Sequence, residues 1–152
     1  MSMILREAEV VYKPGKRIDA NRDIRSSDDA HQILKEYNLH NRTVETMVVL
    51  ILDTRHRVIA AQTVAVGTLT SVEVHPREVF RAAVMQGAAA ILMAHNHPSG
   101  DPTPSEDDLN ITTRIKQAGS ILGILVLDHL ILGADDTYYV FSIGTSLKSA
   151  AQ

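Results

Sequence analysis

The sequence predicts an α/β or α+β domain built around a mixed sheet. Three observations carry this reading. Dense apolar runs of strand length, such as Val44 to Asp53 and Ala88 to Met93, alternate with longer stretches whose apolar residues recur at helical spacing. Two of the strand runs are separated only by Thr54-Arg55-His56-Arg57; so short a link joins antiparallel neighbours and excludes a purely parallel sheet. Finally, 152 residues with 45% apolar and 22% charged side chains suit one domain large enough to bury a proper core.

Taken in order, Met3 to Tyr12 alternates weakly and is expected as a strand laid on a sheet edge, until Lys13-Pro14-Gly15 breaks it. Residues 1–25 read as an N-terminal extension whose last part, up to Arg25, is a solvated linker of mixed charge. Ser26 or Ser27 caps a helix reaching about Leu39, with Ala30, Ile33, Leu34 and Tyr37 on one stripe and Asp28 and Asp29 at its positive end. Val44 to Asp53 is dense in Val, Ile and Leu, as a strand buried on both faces would be. It forms a hairpin with Val58 to Val66, leaving His56 in the turn, and Gly67 to Val74 continues as loop or short strand. Pro76 opens the next helix and Gly87 stops it. The run ending at Met93 follows, then a helix from Ser105 to about Leu122, a strand over Gly123 to Leu132, a turn to Thr137 and a last strand, Tyr138 to Ile143. Residues 145–152 are expected to be a flexible tail, so the domain proper occupies 26–144.

The chemistry concentrates between Ala94 and Asp108. His95 and His97 sit two apart at the end of an apolar strand, so both imidazoles point to one face. A loop rich in Pro and Gly turns the chain, and Ser105 opens a helix with Glu106, Asp107 and Asp108 in its first turn. Two histidines and a carboxylate would supply the three protein ligands of a catalytic zinc, the fourth position falling to water. Ser105-x-x-Asp108 is also a helix capping box with Asp in place of Glu, and a capped, rigid first turn is a good place from which to aim a ligand. Asp101 is a further carboxylate near the loop, and His75, before Pro76, a further imidazole that no spacing ties to the pair.

His95-x-His97, seven residues, Ser105, two residues, Asp108 resembles the JAMM (MPN-plus) metalloprotease motif. More narrowly, HNHPSGDPTPSEDD is similar to the RadC family of bacterial proteins, and the likeness extends over Val72 to Phe80 and Gly123 to Ile131, covering roughly Ser26 to Gly144. The resemblance implies the MPN (cytidine-deaminase-like) α/β fold, a curved mixed sheet flanked by helices. It carries the zinc ligands onto His95, His97 and Asp108, the catalytic serine onto Ser105 and the general base onto Glu45. Glu73, Glu78 and Glu106 compete for the role of base, and Met47 stands where family members usually show an aromatic residue. Ser105 would donate its hydroxyl to a developing oxyanion, worth on the order of 3 kcal/mol. Capping the helix and serving a substrate look like competing duties for that one side chain. Asp128-His129 recurs in the family and is expected either to orient a ligand or to be simple structure. RadC proteins usually carry a helix-hairpin-helix module ahead of this domain; the chain has no room for one and reads as a short, single-domain member.

Composition narrows the rest. With no cysteine, disulfides and thiolate metal sites are excluded, so a transition metal must use His and carboxylate. No stretch is long enough to span a membrane and the N-terminus lacks a signal-peptide pattern, so a cytoplasmic protein is expected. A net charge of -3 gives nucleic acid no global attraction. Two function classes result. The first is a zinc-dependent peptidase or isopeptidase with a peptide or isopeptide substrate. The second, suggested by the family's association with DNA repair and recombination, is an accessory protein acting beside nucleic acid without robust catalysis. The sequence is compatible with a homodimer and names no partner.

Overall fold

The computed structural model describes residues 2–9, 11–18, 23–69 and 73–150. Among them the elements run α1 (Ser27–Glu36), β1 (Thr46–Leu52), β2 (Val58–Val66), α2 (Pro76–Met85), β3 (Ala90–Asn96), α3 (Glu106–Leu122), β4 (Leu125–Leu132), β5 (Thr137–Val140) and β6 (Thr145–Lys148). The strands form one sheet in the order β2-β1-β3-β4-β5-β6. Only β3 and β4 are parallel, joined by the α3 crossover, while the other neighbours are antiparallel. The sheet is therefore mixed, with helices on both faces.

Period-two alternation splits the core into two. Val48, Leu50 and Leu52 of β1 face α1 with Ile33 and Leu34, whereas Met47, Val49 and Ile51 face α2 and α3 with Val79, Phe80, Ile111 and Ile115. All seven residues of β1 are buried, as a strand covered on both sides requires. Each such side chain contributes roughly 1.5–3 kcal/mol of burial, so truncating Leu50 to Ala would cost about 2–5 kcal/mol.

The helix starts follow local chemistry. Ser26 and Asp29 form a reciprocal capping box on α1, with Asp29 N donating to Ser26 Oγ at 3.2 Å and Ser26 N to Asp29 Oδ2 at 2.9 Å. α1 ends three residues before the expected Leu39, because Asn38 turns left-handed (φ 67°) and drops Leu39 into the core. At α2, His75 Nδ1 accepts from Arg77 N at 3.2 Å and Pro76 occupies the first turn. His75 is thus a cap.

Two expectations fail. The described residues of Met3 to Tyr12 form no strand, and Met3, Ile4 and Val11 are 79%, 93% and 72% exposed. The sheet ends at β2 and β6 instead. A few apolar residues interleaved with Arg6, Glu7 and Glu9 bury too little to offset the entropy of ordering them. Conversely, residues 145–152 were expected to be a flexible tail, yet Thr145–Lys148 is strand β6, paired along β5. It has one polar and one apolar anchor: Ser149 is buried against His31 and Asp28, and Leu147 packs on the α1-side core. The expected strand at Tyr138 to Ile143 accordingly stops at Val140, where a turn leads into β6.

Candidate metal centre

The site lies where β3 runs out against the start of α3. His95 and His97 share a face, as their spacing predicts, and β1 lies antiparallel beside them with Met47 opposite His95. Glu45, two residues before Met47, brings its Oε1 within 3.6 Å of His97 Nε2. α3 then brings Asp108 over the top. One ligand atom from each of Glu45, His95, His97 and Asp108 lies within 4.8 Å of all the others.

Asp108 makes the closest contacts. Its Oδ1 is 3.1 Å from His95 Nε2 and its Oδ2 is 3.2 Å from His97 Nε2, while the two Nε2 atoms are 3.1 Å apart. Glu45 Oε1 stands slightly back, 3.8 Å from His95 Nε2 and 3.6 Å from His97 Nε2. Its other oxygen accepts from Leu69 N at 3.4 Å. Glu78, a competitor for the role of base, is committed to Arg81 at 2.6 Å and lies outside this cluster. Asp101 also stays outside it, its Oδ1 accepting from Thr103.

Hydrogen-bond direction shows what the cluster can hold. His97 Nδ1 is 2.8 Å from the carbonyl of Asp101, which can only accept, so Nδ1 carries the proton and Nε2 faces the site. His95 likewise turns Nδ1 away, to His129 Nε2 at 2.9 Å, and presents Nε2. Two imidazole Nε2 atoms and two carboxylates therefore converge with no cationic side chain among them. A donor set of nitrogen and oxygen acceptors at this spacing fits a divalent metal ion.

The cluster keeps its carboxylate charged. Burial disfavours the Asp108 carboxylate, but the adjoining His95 and His97 imidazoles outweigh it and hold the group well below the usual range. For His97, burial favours the neutral ring, yet Asp108, the Asp101 carbonyl and Glu45 together raise it. His129, fully buried, is pushed well below the ordinary histidine value, first by desolvation and then by His95.

Ser105 does cap α3, accepting from Asp108 N at 3.1 Å while its own N donates to Asp108 Oδ2 at 2.8 Å. The cap uses a lone pair of Oγ and leaves the hydroxyl proton free. The two duties that looked incompatible in sequence thus call on different parts of one group, and Ser105 is exposed. The loop that aims His97 is fixed by close packing. Gly100 adopts φ 87°, and a Cβ on Gly133 would come within 2.5 Å of the Gly100 carbonyl and 2.8 Å of Pro102. A cavity of about 380 Å³ opens beside His97, lined also by His40, Arg42, Thr43, Gly100 and Ala134.

Two positions escaped the sequence reading. Asn96, between the histidines, faces the opposite way. Its Oδ1 accepts from Thr46 N at 2.8 Å and its Nδ2 donates to the carbonyls of Arg42 and Val44 at 2.9 and 3.3 Å, clamping the backbone on both sides of Glu45. The signal was its parity: the middle residue of a buried His-x-His must be satisfied on the other face. Thr112, one helical turn after Asp108, reaches His129. Asp128 and His129, paired in the sequence reading, part company, since Asp128 accepts from Ser142 and from His129 N while the His129 ring turns to His95.

Comparison with known proteins accords with this geometry. Residues 24–146 match the family model described as the RadC-like JAB domain, and the JAB domain belongs to the MPN/JAMM superfamily. A UPF0758 protein of Alkaliphilus oremlandii is 45% identical over 130 residues, 82% of this chain and 55% of that protein. Another, from Clostridium perfringens, is 50% identical over 107 residues, 70% of this chain and 46% of its own. A third, from Methanococcoides burtonii, is 43% identical over 116 residues, covering 76% and 50%. The chain spans about half the length of these relatives. Among the described residues no helix is long and apolar enough to cross a membrane. With its matching residues running from before α1 into β6, and its histidines and Asp108 gathered at the end of β3, the chain belongs to the RadC family.

Proposed function

We propose that this domain is a zinc-dependent hydrolase of amide bonds, of the JAMM metallopeptidase or isopeptidase type, acting on a peptide or isopeptide. The observation that carries the reading is the convergence of His95 Nε2, His97 Nε2 and the Asp108 carboxylate, all acceptors, beside a second carboxylate that stands farther back. His95, His97 and Asp108 would hold the metal, the ligand number of catalytic zinc sites. Zinc, when bound, supplies Lewis acidity and lowers the pKa of a coordinated water from ~15.7 toward ~7.

The chain's own groups do the rest. Glu45, set back from the ligand atoms and tethered by Leu69 N, takes a proton at Oε1 from the water that adds to the amide carbon and passes it to the leaving amine nitrogen as the C–N bond breaks. Ser105 donates its free hydroxyl proton to the carbonyl oxygen of the attacked amide as negative charge develops there. The cavity beside His97 gives a substrate chain room to lie against the site.

Elemental analysis of protein never exposed to added metal or chelator tests the reading, with about one zinc per chain expected for the parent and none for His95→Ala. Full zinc occupancy in His97→Ala would overturn the ligand assignment. A library of short peptides and isopeptide conjugates then tests hydrolysis.

A further inference from the structure

We propose that His129 and Thr112 form a one-way hydrogen-bond chain that fixes the tautomer of His95, making His129 a positioning residue for the metal centre. The inference rests on reading the cluster as a metal site and identifies what keeps one of its ligands correctly oriented.

The direction of the chain follows from counting protons. Thr112 Oγ1 is 2.7 Å from the carbonyl oxygen of Asp108, one turn back along α3, and 2.6 Å from His129 Nδ1. A carbonyl oxygen has no proton to give, so the single hydroxyl proton of Thr112 must lie on that bond. Thr112 Oγ1 is then an acceptor toward His129, and Nδ1 of His129 carries the proton. His129 is completely buried, with Phe141 stacked on it at 4.4 Å. Its Nε2 is left as a bare lone pair 2.9 Å from His95 Nδ1, so the proton between the two rings belongs to His95 Nδ1. A neutral His95 consequently has its lone pair on Nε2, the atom that faces Asp108, Glu45 and His97. The reverse orientation would bring the Thr112 and Asp108 oxygens together at 2.7 Å with no proton between them. α3 thus contributes twice, with Asp108 as a ligand and Thr112, four residues on, as the origin of the polarity that aims another ligand.

The test uses Thr112→Val, Thr112→Ser, His129→Phe and His129→Gln, with zinc itself as the probe. Val is near-isosteric but has no hydroxyl, whereas Ser keeps it. Phe retains the aromatic stack on Phe141, whereas Gln can return an acceptor to the position of Nε2. Thr112→Val and His129→Phe should weaken zinc binding by about 10- to 100-fold, with Thr112→Ser and His129→Gln restoring most of it. The second readout needs no metal. In metal-free parent protein, ¹⁵N imidazole shifts should place the proton of neutral His95 on Nδ1, and Thr112→Val should erode that preference. Parental affinity in both Thr112→Val and His129→Phe, or a neutral His95 protonated on Nε2, would overturn the proposal. If Thr112→Val or His129→Phe fails to fold, the shifts of the parent still decide it. A parent with the Nδ1 tautomer but no affinity for zinc would sink the zinc reading and leave the chain standing.

Discussion

Two buried imidazoles sit beside carboxylates on opposite faces of this sheet, and they are wired differently. His31, on α1, donates from Nδ1 to Ser149 Oγ at 2.7 Å; Ser149 in turn donates to Asp28, which also accepts from Tyr138 at 3.3 Å. The ring stacks on Tyr138 at 4.2 Å. That chain ends on a carboxylate and is closed, and its effect is to pin the end of β6 to α1. The chain through His95 runs the other way, ending on a backbone carbonyl behind the ring and leaving Nε2 turned toward other acceptors. Burial and residue type are nearly the same in both places. What separates a fastening from a candidate site is where the donors point.

The largest expected effect separates the two regions by their carboxylates. Asp108→Asn should abolish zinc binding, since it removes the charged ligand between the imidazoles. Asp28→Ala should leave zinc stoichiometry unchanged and cost on the order of 2 kcal/mol, through hydrogen bonds lost from Ser149 and Tyr138 to a charged acceptor. Metal analysis and urea unfolding of both variants provide the check. Loss of zinc from Asp28→Ala would show that the two clusters are not independent.

A smaller effect tests the carboxylate that stands back. Glu45→Gln should retain zinc and melt close to the parent, while hydrolysis falls by about 10²- to 10⁴-fold. Parental rates in this variant would remove Glu45 from the mechanism and leave the converging site without an identified base.

Much of the candidate site was legible because it is local. His95, His97, Ser105 and Asp108 lie within one strand-loop-helix stretch, where period two on the strand and a capping box on the helix already dictate a common face. The alternation of strand and helix patterns and the short hairpin link likewise sufficed for a mixed sheet. Glu45 came from resemblance alone, because its approach depends on the β1–β3 register, which pairs residues some fifty positions apart. The closed cluster was missed altogether. His31, Asp28, Tyr138 and Ser149 meet only once β5 has brought the chain end back to α1, and no spacing in the sequence announces that return. For the same reason a polar C-terminal stretch looked like a loose tail, and an apolar N-terminal one looked like a strand.

The closed cluster should also give itself away by pH. Burial and the nearby Lys35 lower His31 from 6.5 to about 4, against the opposing pull of Asp28. Between those values the unfolded chain takes up a proton that the folded chain refuses, so stability falls as pH drops through the window and recovers as it rises. The full span amounts to roughly 3 kcal/mol. His31→Phe keeps a ring against Tyr138 and removes the titration, so its unfolding free energy should depend less on pH between about 4 and 6.5 than the parent's. An unchanged pH slope in His31→Phe would place that sensitivity elsewhere, with His129 the next group to examine.

The smallest change falls on the residue where both kinds of wiring meet. Ser105 accepts from Asp108 N, which is fastening, and keeps a hydroxyl proton free beside the converging histidines, which is the role proposed for it in catalysis. Ser105→Ala removes both at once. The lost cap should cost about 1 kcal/mol in urea unfolding, and the lost donor should slow hydrolysis on the order of 10²-fold with zinc still bound. Ser105→Thr retains a hydroxyl and a competent cap, so it should recover most of both. The two measurements move separately if the duties are separate. A variant with lowered stability but the parental rate would leave Ser105 only its cap, and the oxyanion would then need another donor. Parental stability with a slowed reaction would mean that the bond from Asp108 N adds nothing net to the helix, and that the hydroxyl serves the substrate alone.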